Sequence, residues 1–277
     1  CFTIAAPLHY CITIKINSEC GTCDLIFAAP TMTDSPQPVN VVLGAAGRTG
    51  LECVKRLLEV SDLPTRAVVR DPSKMQGILE PSAKLQIAKG DVTDPASLQE
   101  ALRGARGVIF AVAGKGYWSP AEVDFKGVAN VAQASQQAGA ERVVLVSSMM
   151  VTRKHWLHPI RLLLNNMRWG LMDNKLKGEE ALRASGVDYT IVRPGGLGSG
   201  PGGHASLVTG QGDSMSGGGL IQRADVAAVC VEALCNPAAS RVTLEVLARK
   251  GAEGAPEGGF EQQLRNMWAG LKQDGTY

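Results

Sequence analysis

The sequence predicts a single doubly wound α/β domain built on a mostly parallel sheet of about seven strands. Three observations carry that expectation. An apolar β-rich run at 39–43 breaks into the glycine turn Gly44-Ala45-Ala46-Gly47-Arg48-Thr49-Gly50 and continues as a helical stretch over 51–60. From there short β-rich runs alternate with helical stretches, the pattern of right-handed crossovers between parallel strands. Hydrophobic residues make up 45% of the 277 residues but aromatics only 5%, which suits a core of Val, Leu, Ile and Ala in strands covered on both faces.

In chain order, residues 1–38 read as an N-terminal extension of low order, and the domain spans 39–277. The first 31 residues are expected to be a targeting segment or sequence foreign to the mature protein. Residues 4–16 are moderately apolar but lack the basic start and long apolar stretch of a secretory signal. Cysteines at 1, 11, 20, 23, 53, 230 and 235 are odd in number and irregular in spacing, against a disulfide framework and for a reducing compartment. Cys20-Gly21-Thr22-Cys23 has neither the second pair nor the nearby His that would complete a zinc site.

After the strand at 39–43, further strands are expected at 66–70, 84–88, 107–112, 142–146, 189–192 and 242–247. Asp94 caps a helix with Pro95 at its first position. The next helix, 120–138, carries Val123, Val128, Val131 and Ala134 on its apolar face and stops at Gly139. Residues 195–219 are too glycine-rich for a core element, so a loop or short hairpin is expected there, either a substrate flap or a surface excursion. Residues 249–258 read as a polar linker before a closing amphipathic helix at 260–271.

The bulk numbers exclude several classes. A net charge of +2 gives no general pull toward nucleic acid. No apolar run reaches the roughly 18 residues a bilayer span needs. His155 and His158 alone are too few for a metal site, and no metal is expected.

The chemistry begins at the glycine turn, whose strand–turn–helix setting is that of a Rossmann dinucleotide site. Gly44 permits the tight turn, Gly47 leaves no side chain between backbone and pyrophosphate, and Gly50 lets the helix pack close to the strand. Ala45, Arg48 and Thr49 complete the turn, with helix N–H groups directed at the anion. Arg70 ends the second strand, where an acid would grip the ribose of NAD and a base the 2′-phosphate of NADP. Asp71 follows it, so the signal is mixed. Arg48 and Arg70 together favour the phosphate, making NADP the preferred cofactor and NAD the alternative. Asp91 and Val92 stand where adenine would be held, Asp91 also being a natural turn-former. Ala113 and its small neighbours leave room for a nucleotide across the strand tips.

These motifs, with Val144-Leu145-Val146-Ser147-Ser148-Met149, Lys175-Leu176-Lys177-Gly178-Glu179-Glu180 and the run 185–197, resemble the atypical short-chain dehydrogenase/reductase branch of NAD(P)-binding NmrA-like and flavin reductase-like proteins. The resemblance covers about 39–272. Plant and algal members include chloroplast proteins, so it implies a chloroplast location, with cytoplasm as the alternative. Standard members use a Tyr-x-x-x-Lys pair beside a Ser. Here Ser147 matches the Ser, Lys175 the Lys, and Pro194-Gly195 the pocket, but Leu171 holds the Tyr position. A leucine exchanges no proton. Asp173, Ser147 and Tyr117 are the candidates to replace it. The resemblance thus implies an NADPH-dependent oxidoreductase acting on a small, unidentified acceptor. The alternative is a noncatalytic NADP(H)-binding redox sensor or assembly scaffold. The apolar stripe Ile160, Leu163, Leu164, Met167 and Leu171 reads as core or subunit contact, its basic Trp-containing flank as a possible peripheral membrane or partner surface. The oligomeric state is left open.

Overall fold

All five residues of the strand Val39–Leu43 are buried, which requires cover on both faces of the sheet they enter. The computed structural model describes residues 3–5, 11–13, 37–114, 116, 119–215, 219–253, 256 and 258–275. It divides into two units, 1–37 and 38–277. In the first, β1 (Thr3–Ala5) and β2 (Cys11–Thr13) pair antiparallel. The targeting segment and the Cys20–Cys23 pair lie otherwise outside the described residues.

The second unit follows the predicted alternation. β3 (Val39–Leu43), α1 (Arg48–Val60), β4 (Thr65–Val69), β5 (Leu85–Lys89), α2 (Pro95–Ala101) and β6 (Ala105–Phe110) form its first half. Its second half holds α3 (Val128–Gln137), β7 (Arg142–Val146), α4 (Pro159–Met167), α5 (Leu171–Ala184) and β8 (Tyr189–Pro194). Then come β9 (Gly196–Gly198), β10 (Ala205–Gly210), β11 (Leu220–Gln222), α6 (Arg223–Cys235), β12 (Val242–Glu253) and α7 (Phe260–Asn266). The main sheet runs β10-β12-β8-β7-β6-β3-β4-β5, parallel except at β10. Strand order reverses between β3 and β6, the point at which such sheets bind ligands.

Even and odd positions of the strands feed two cores. Val42, Val54, Leu57, Val144, Val192, Val226 and Trp268 join the sheet to α1, α6 and the C-terminal segment. Val41, Leu43, Leu98, Val108, Val131 and Leu182 join the opposite face to α2, α3 and α5.

The structure departs from the sequence reading in four places. The sheet has eight strands, because β10 lies inside the glycine-rich stretch at 195–219 and pairs antiparallel with β12. Ala205–Gly210 carries the apolar and β-branched residues that a sheet edge can use, and an edge needs a partner that composition does not reveal. β12 is correspondingly longer than expected and runs into the polar linker. The helix at 120–138 opens with a π-helical turn, Ala121–Gly127. Finally, the stripe on α4 is not core: Ile160, Leu163 and Met167 are exposed and only Leu171 is buried.

Asp274, near the C-terminus, accepts hydrogen bonds from Tyr189 Oη (3.1 Å), Arg183 Nε (2.9 Å) and Thr243 Oγ1 (2.6 Å). Burial, reinforced by Asp274, pushes the Tyr189 phenol up to about 12. A folded pKa above the unfolded value of about 10 stabilises the fold fully below pH 10. That contribution is lost as pH rises through the window to about 12. Urea midpoints of wild type minus Tyr189→Phe across this range should therefore converge, and a constant difference would contradict it.

Candidate functional site

β3 ends in a turn that only glycine satisfies at its first position. Gly44 has φ +81°, and a Cβ there would lie 2.8 Å from the Ala111 carbonyl oxygen. Gly47 N donates to Gly44 O at 2.8 Å and closes the turn. A Cβ on Gly50 would run into the Gly44 carbonyl, so the glycine sets how closely α1 approaches β3. Gly47 is the N-cap of α1 in extended conformation, with no side chain capping the helix and no acid in its first turn. The opening N–H groups at Arg48, Thr49 and Gly50 are left for an external acceptor.

Beside the turn, between the C-terminal ends of β3, β4 and β6, lies a crevice of about 300 Å³. Gly44, Gly47, Arg70, Asp91, Val92 and Ala113 line it, as the sequence expects; Ala45 is buried beneath. Arg48 does not line it. It is exposed, and its charge acts after burial in pulling the Arg223 guanidinium below its ordinary value. The second cation at the rim is instead Lys74, which sequence reasoning missed. Its signal was present: Asp71-Pro72 is a helix-start pair that curls the chain after β4. The Asp71 carboxylate accepts from Ser73 N (3.1 Å) and Ser73 Oγ (2.7 Å), and these bonds hold its pKa below the ordinary value. The acid that made the sequence signal mixed is engaged as a cap through Oδ1, and it too lines the crevice. Arg70 and Lys74 are exposed, and the Lys74 charge helps to hold the Asp71 carboxyl down.

Asp91 combines both of its expected roles. Its Oδ1 accepts from Thr93 N (2.9 Å) and Thr93 Oγ1 (2.8 Å) in a turn, while the residue also lines the crevice. Val92 is buried, its carbonyl accepting from Asn130 Nδ2 at 3.0 Å.

The other predicted residues lie outside this lining. Leu171 is buried at the first turn of α5, after Gly170 at φ +62°, and Lys175 follows one turn later. The helical spacing of the Tyr-x-x-x-Lys pair is thus present with hydrocarbon in the acid's place. Lys175 Nζ is 2.9 Å from Oδ1 of buried Asp124, which sits in the π-helical turn. Asp124 Oδ2 accepts from Gly114 N at 3.2 Å, which ties the lysine to the crevice wall. Ser147 Oγ donates to Glu179 Oε1 at 2.6 Å. Glu179 is fully buried and is also held by Arg193 Nη2 (2.6 Å) and Arg183 Nη2 (3.1 Å). Pro194 ends β8, its carbonyl accepting from Met149 N at 3.1 Å. A Cβ on Gly195 would meet Gly219 O at 2.7 Å. Asp173 is bound to Arg161 Nη2 at 2.6 Å. Tyr117 lies outside the described residues.

Comparison with known proteins gives the same outline. Residues 44–237 match the model of a family described as NAD(P)H-binding. The chain is 36% identical over 219 residues to the chloroplastic Arabidopsis thaliana protein At2g34460, covering 76% of this chain and 77% of that one. It is 30% identical over 246 residues to sanguinarine reductase of Eschscholzia californica, covering 73% and 86%. Among solved structures, the oxidoreductase ylbE of Lactococcus lactis superimposes with a TM-score of 0.68 at 19% identity, covering 83% and 96%. A short-chain dehydrogenase/reductase of Veillonella parvula in complex with NADP superimposes with a TM-score of 0.60 at 18% identity, covering 78% and 96%. These two likenesses establish the fold.

Proposed function

Because the chain belongs to the NAD(P)H-binding family, in its atypical short-chain dehydrogenase/reductase branch, we propose that it is an NADPH-dependent reductase of a small acceptor. The observation that carries the reading is the uncapped start of α1 beside a crevice rimmed by Arg70 and Lys74. Gly44, Ala45, Gly47, Thr49 and Gly50 would receive the pyrophosphate, with Arg48 at the outer edge of the same helix start. Asp91 Oδ2, Val92 and Ala113 would enclose adenine. Arg70 and Lys74 would bind a 2′-phosphate, while Asp71, whose Oδ1 caps Ser73, keeps its Oδ2 at the same rim.

The residues fit a nicotinamide dinucleotide, whose reduced form supplies a hydride when bound. Ser147 follows β7, Pro194 and Gly195 stand at the end of β8, and Lys175 on α5 is tied to the crevice wall through Asp124; these four would flank the reacting ring. Leu171 contributes no proton, while Ser147 and Lys175 are held by Glu179 and Asp124. The proton that accompanies hydride addition would then come from water or from an acidic acceptor. Reductase relatives support the direction of the reaction, and chloroplastic relatives support a chloroplast location.

The occupied Ser147 and Lys175 also favour a second reading, a noncatalytic NADP(H)-binding sensor. NADPH oxidation with flavin, quinone and dicarbonyl acceptors separates the two. Turnover on any acceptor supports the reductase; tight NADPH binding with none favours the sensor. For the cofactor, Arg70→Ala should weaken NADPH by about 1.5–3 kcal/mol and leave NADH nearly unchanged. Equal losses for both dinucleotides would refute the 2′-phosphate assignment.

A further inference from the structure

α4 is built inside out. Arg161 points inward and is 4% exposed, with Nε donating to Met150 O (3.1 Å) and Nη2 to Val151 O (3.2 Å) and to Asp173 (2.6 Å). The apolar side chains point outward. Trp156 is 62% exposed, Leu157 63%, Leu163 57% and Met167 61%, with Ile160 and Leu162 exposed beside them. These six are the majority of the large apolar side chains on the described surface. Ile160, Leu163 and Met167 follow one another at spacings of three and four, which puts them on one face of α4, and Trp156 lies in the turn that leads into it. Such a contiguous stripe marks a surface that is covered in use.

Charge decides what covers it. From 153 to 168 the chain has no Asp or Glu, and of its four cations Arg161 is buried against Asp173 and Arg168 is turned to Gly114 O, which leaves Arg153 and Lys154 to set the surface charge. Arg153 and Lys154 are exposed at the leading end of the stripe, without a protein partner among the described residues. Asp173, the acid nearest on α5, is turned to Arg161 and Asn165. A two-fold contact through this face would bring two sets of cations together with no acid to offset them. An apolar helical stripe with Trp at one end and a cationic flank fits an anionic lipid surface. No helix among the described residues is long and apolar enough to cross a membrane, so α4 would lie in the interface plane.

We propose that α4 and the turn before it dock the protein on anionic membranes. The same element borders the crevice: Arg168 Nη1 donates to Gly114 O at 2.7 Å, and Gly114 lines the crevice. Docking would therefore hold that end of the molecule against the lipid, within reach of a membrane-dissolved acceptor.

The test is co-sedimentation of the full chain with vesicles of phosphatidylcholine alone or of equal parts phosphatidylcholine and phosphatidylglycerol. Binding is expected to the anionic vesicles and to fall in about 0.5 M salt. Arg153→Glu with Lys154→Glu should weaken it by roughly thirtyfold or more. Leu163→Glu with Met167→Glu should abolish it. Both double variants alter exposed side chains, and an unchanged thermal midpoint checks the fold. Binding that is equal on both vesicles, or unchanged in both variants, overturns the proposal. So does a dimer by light scattering that Leu163→Glu dissociates, because the stripe is then a contact between two copies.

Discussion

Glu179→Ala is expected to lower the stability of the fold by about 3–5 kcal/mol, the cost of removing one member of a buried ion pair. Glu179 is fully buried, and Arg193, on the neighbouring β8, is only 3% exposed. Two hydrogen bonds join them, Arg193 Nε to Glu179 Oε1 at 3.0 Å and Nη2 to Oε2 at 2.6 Å. Burial alone would pull the Arg193 guanidinium down. The bonds and charge of Glu179 outweigh it, helped by Asp213 and Glu245, and hold the group above its ordinary value. Without the carboxylate, Arg193 keeps the more distant Glu245, 3.8 Å away, and the charge of Asp213, and Ser147 Oγ loses its acceptor. Urea unfolding should show the loss as a lower midpoint at unchanged slope. Pairing Glu179→Leu with Arg193→Met should recover only part of it, since the apolar pair removes the orphaned guanidinium but leaves buried Glu245 without its cation. A loss below about 1 kcal/mol would mean that water reaches the site.

Gly47→Asp should separate stability from binding. The position is already in the extended conformation of an N-cap and offers no side chain to α1. An aspartate would supply the missing acceptor and place a negative charge at the positive end of the helix, for up to about 1 kcal/mol. The new Cβ would sit 3.0 Å from Gly44 O, tight enough to consume part of that gain. The same carboxylate occupies the N–H groups that would bind pyrophosphate and repels its charge. Affinity for NADPH and NADH alike should fall by about 100-fold, roughly 3 kcal/mol, while the unfolding midpoint of the free protein holds or rises. Gly47→Ala leaves the N–H groups open and should cost less than about tenfold. Dinucleotide affinity unchanged in Gly47→Asp would remove this turn as the pyrophosphate site.

Much of the geometry of the glycine turn and its crevice was legible because its requirements are local. A positive φ at Gly44, an uncapped helix start at Gly47 and close strand–helix contact at Gly50 are each fixed within seven consecutive residues. The same holds for Asp91, whose turn partner Thr93 is two residues away. Lys74 was overlooked for a different reason: reading Asp71 as a ribose acid hid its role as the cap that brings Lys74 to the rim.

By itself, then, the sequence determined the fold class, the order of the strands along the chain and the glycine turn, since these follow from side-chain periodicity and backbone sterics between near neighbours. The tertiary structure alone decided how buried polar groups were paired. Ser147 with Glu179, Lys175 with Asp124 and Glu179 with Arg193 join separate elements, and two of these pairs cross more than thirty positions. It also decided that β10 closes the sheet edge and that α4 turns its arginine inward and its leucines out. Periodicity identifies the apolar face of a helix. Which face is buried depends on what the neighbouring elements offer, and beneath α4 they offer the carbonyls of Met150 and Val151, which arginine satisfies and leucine does not.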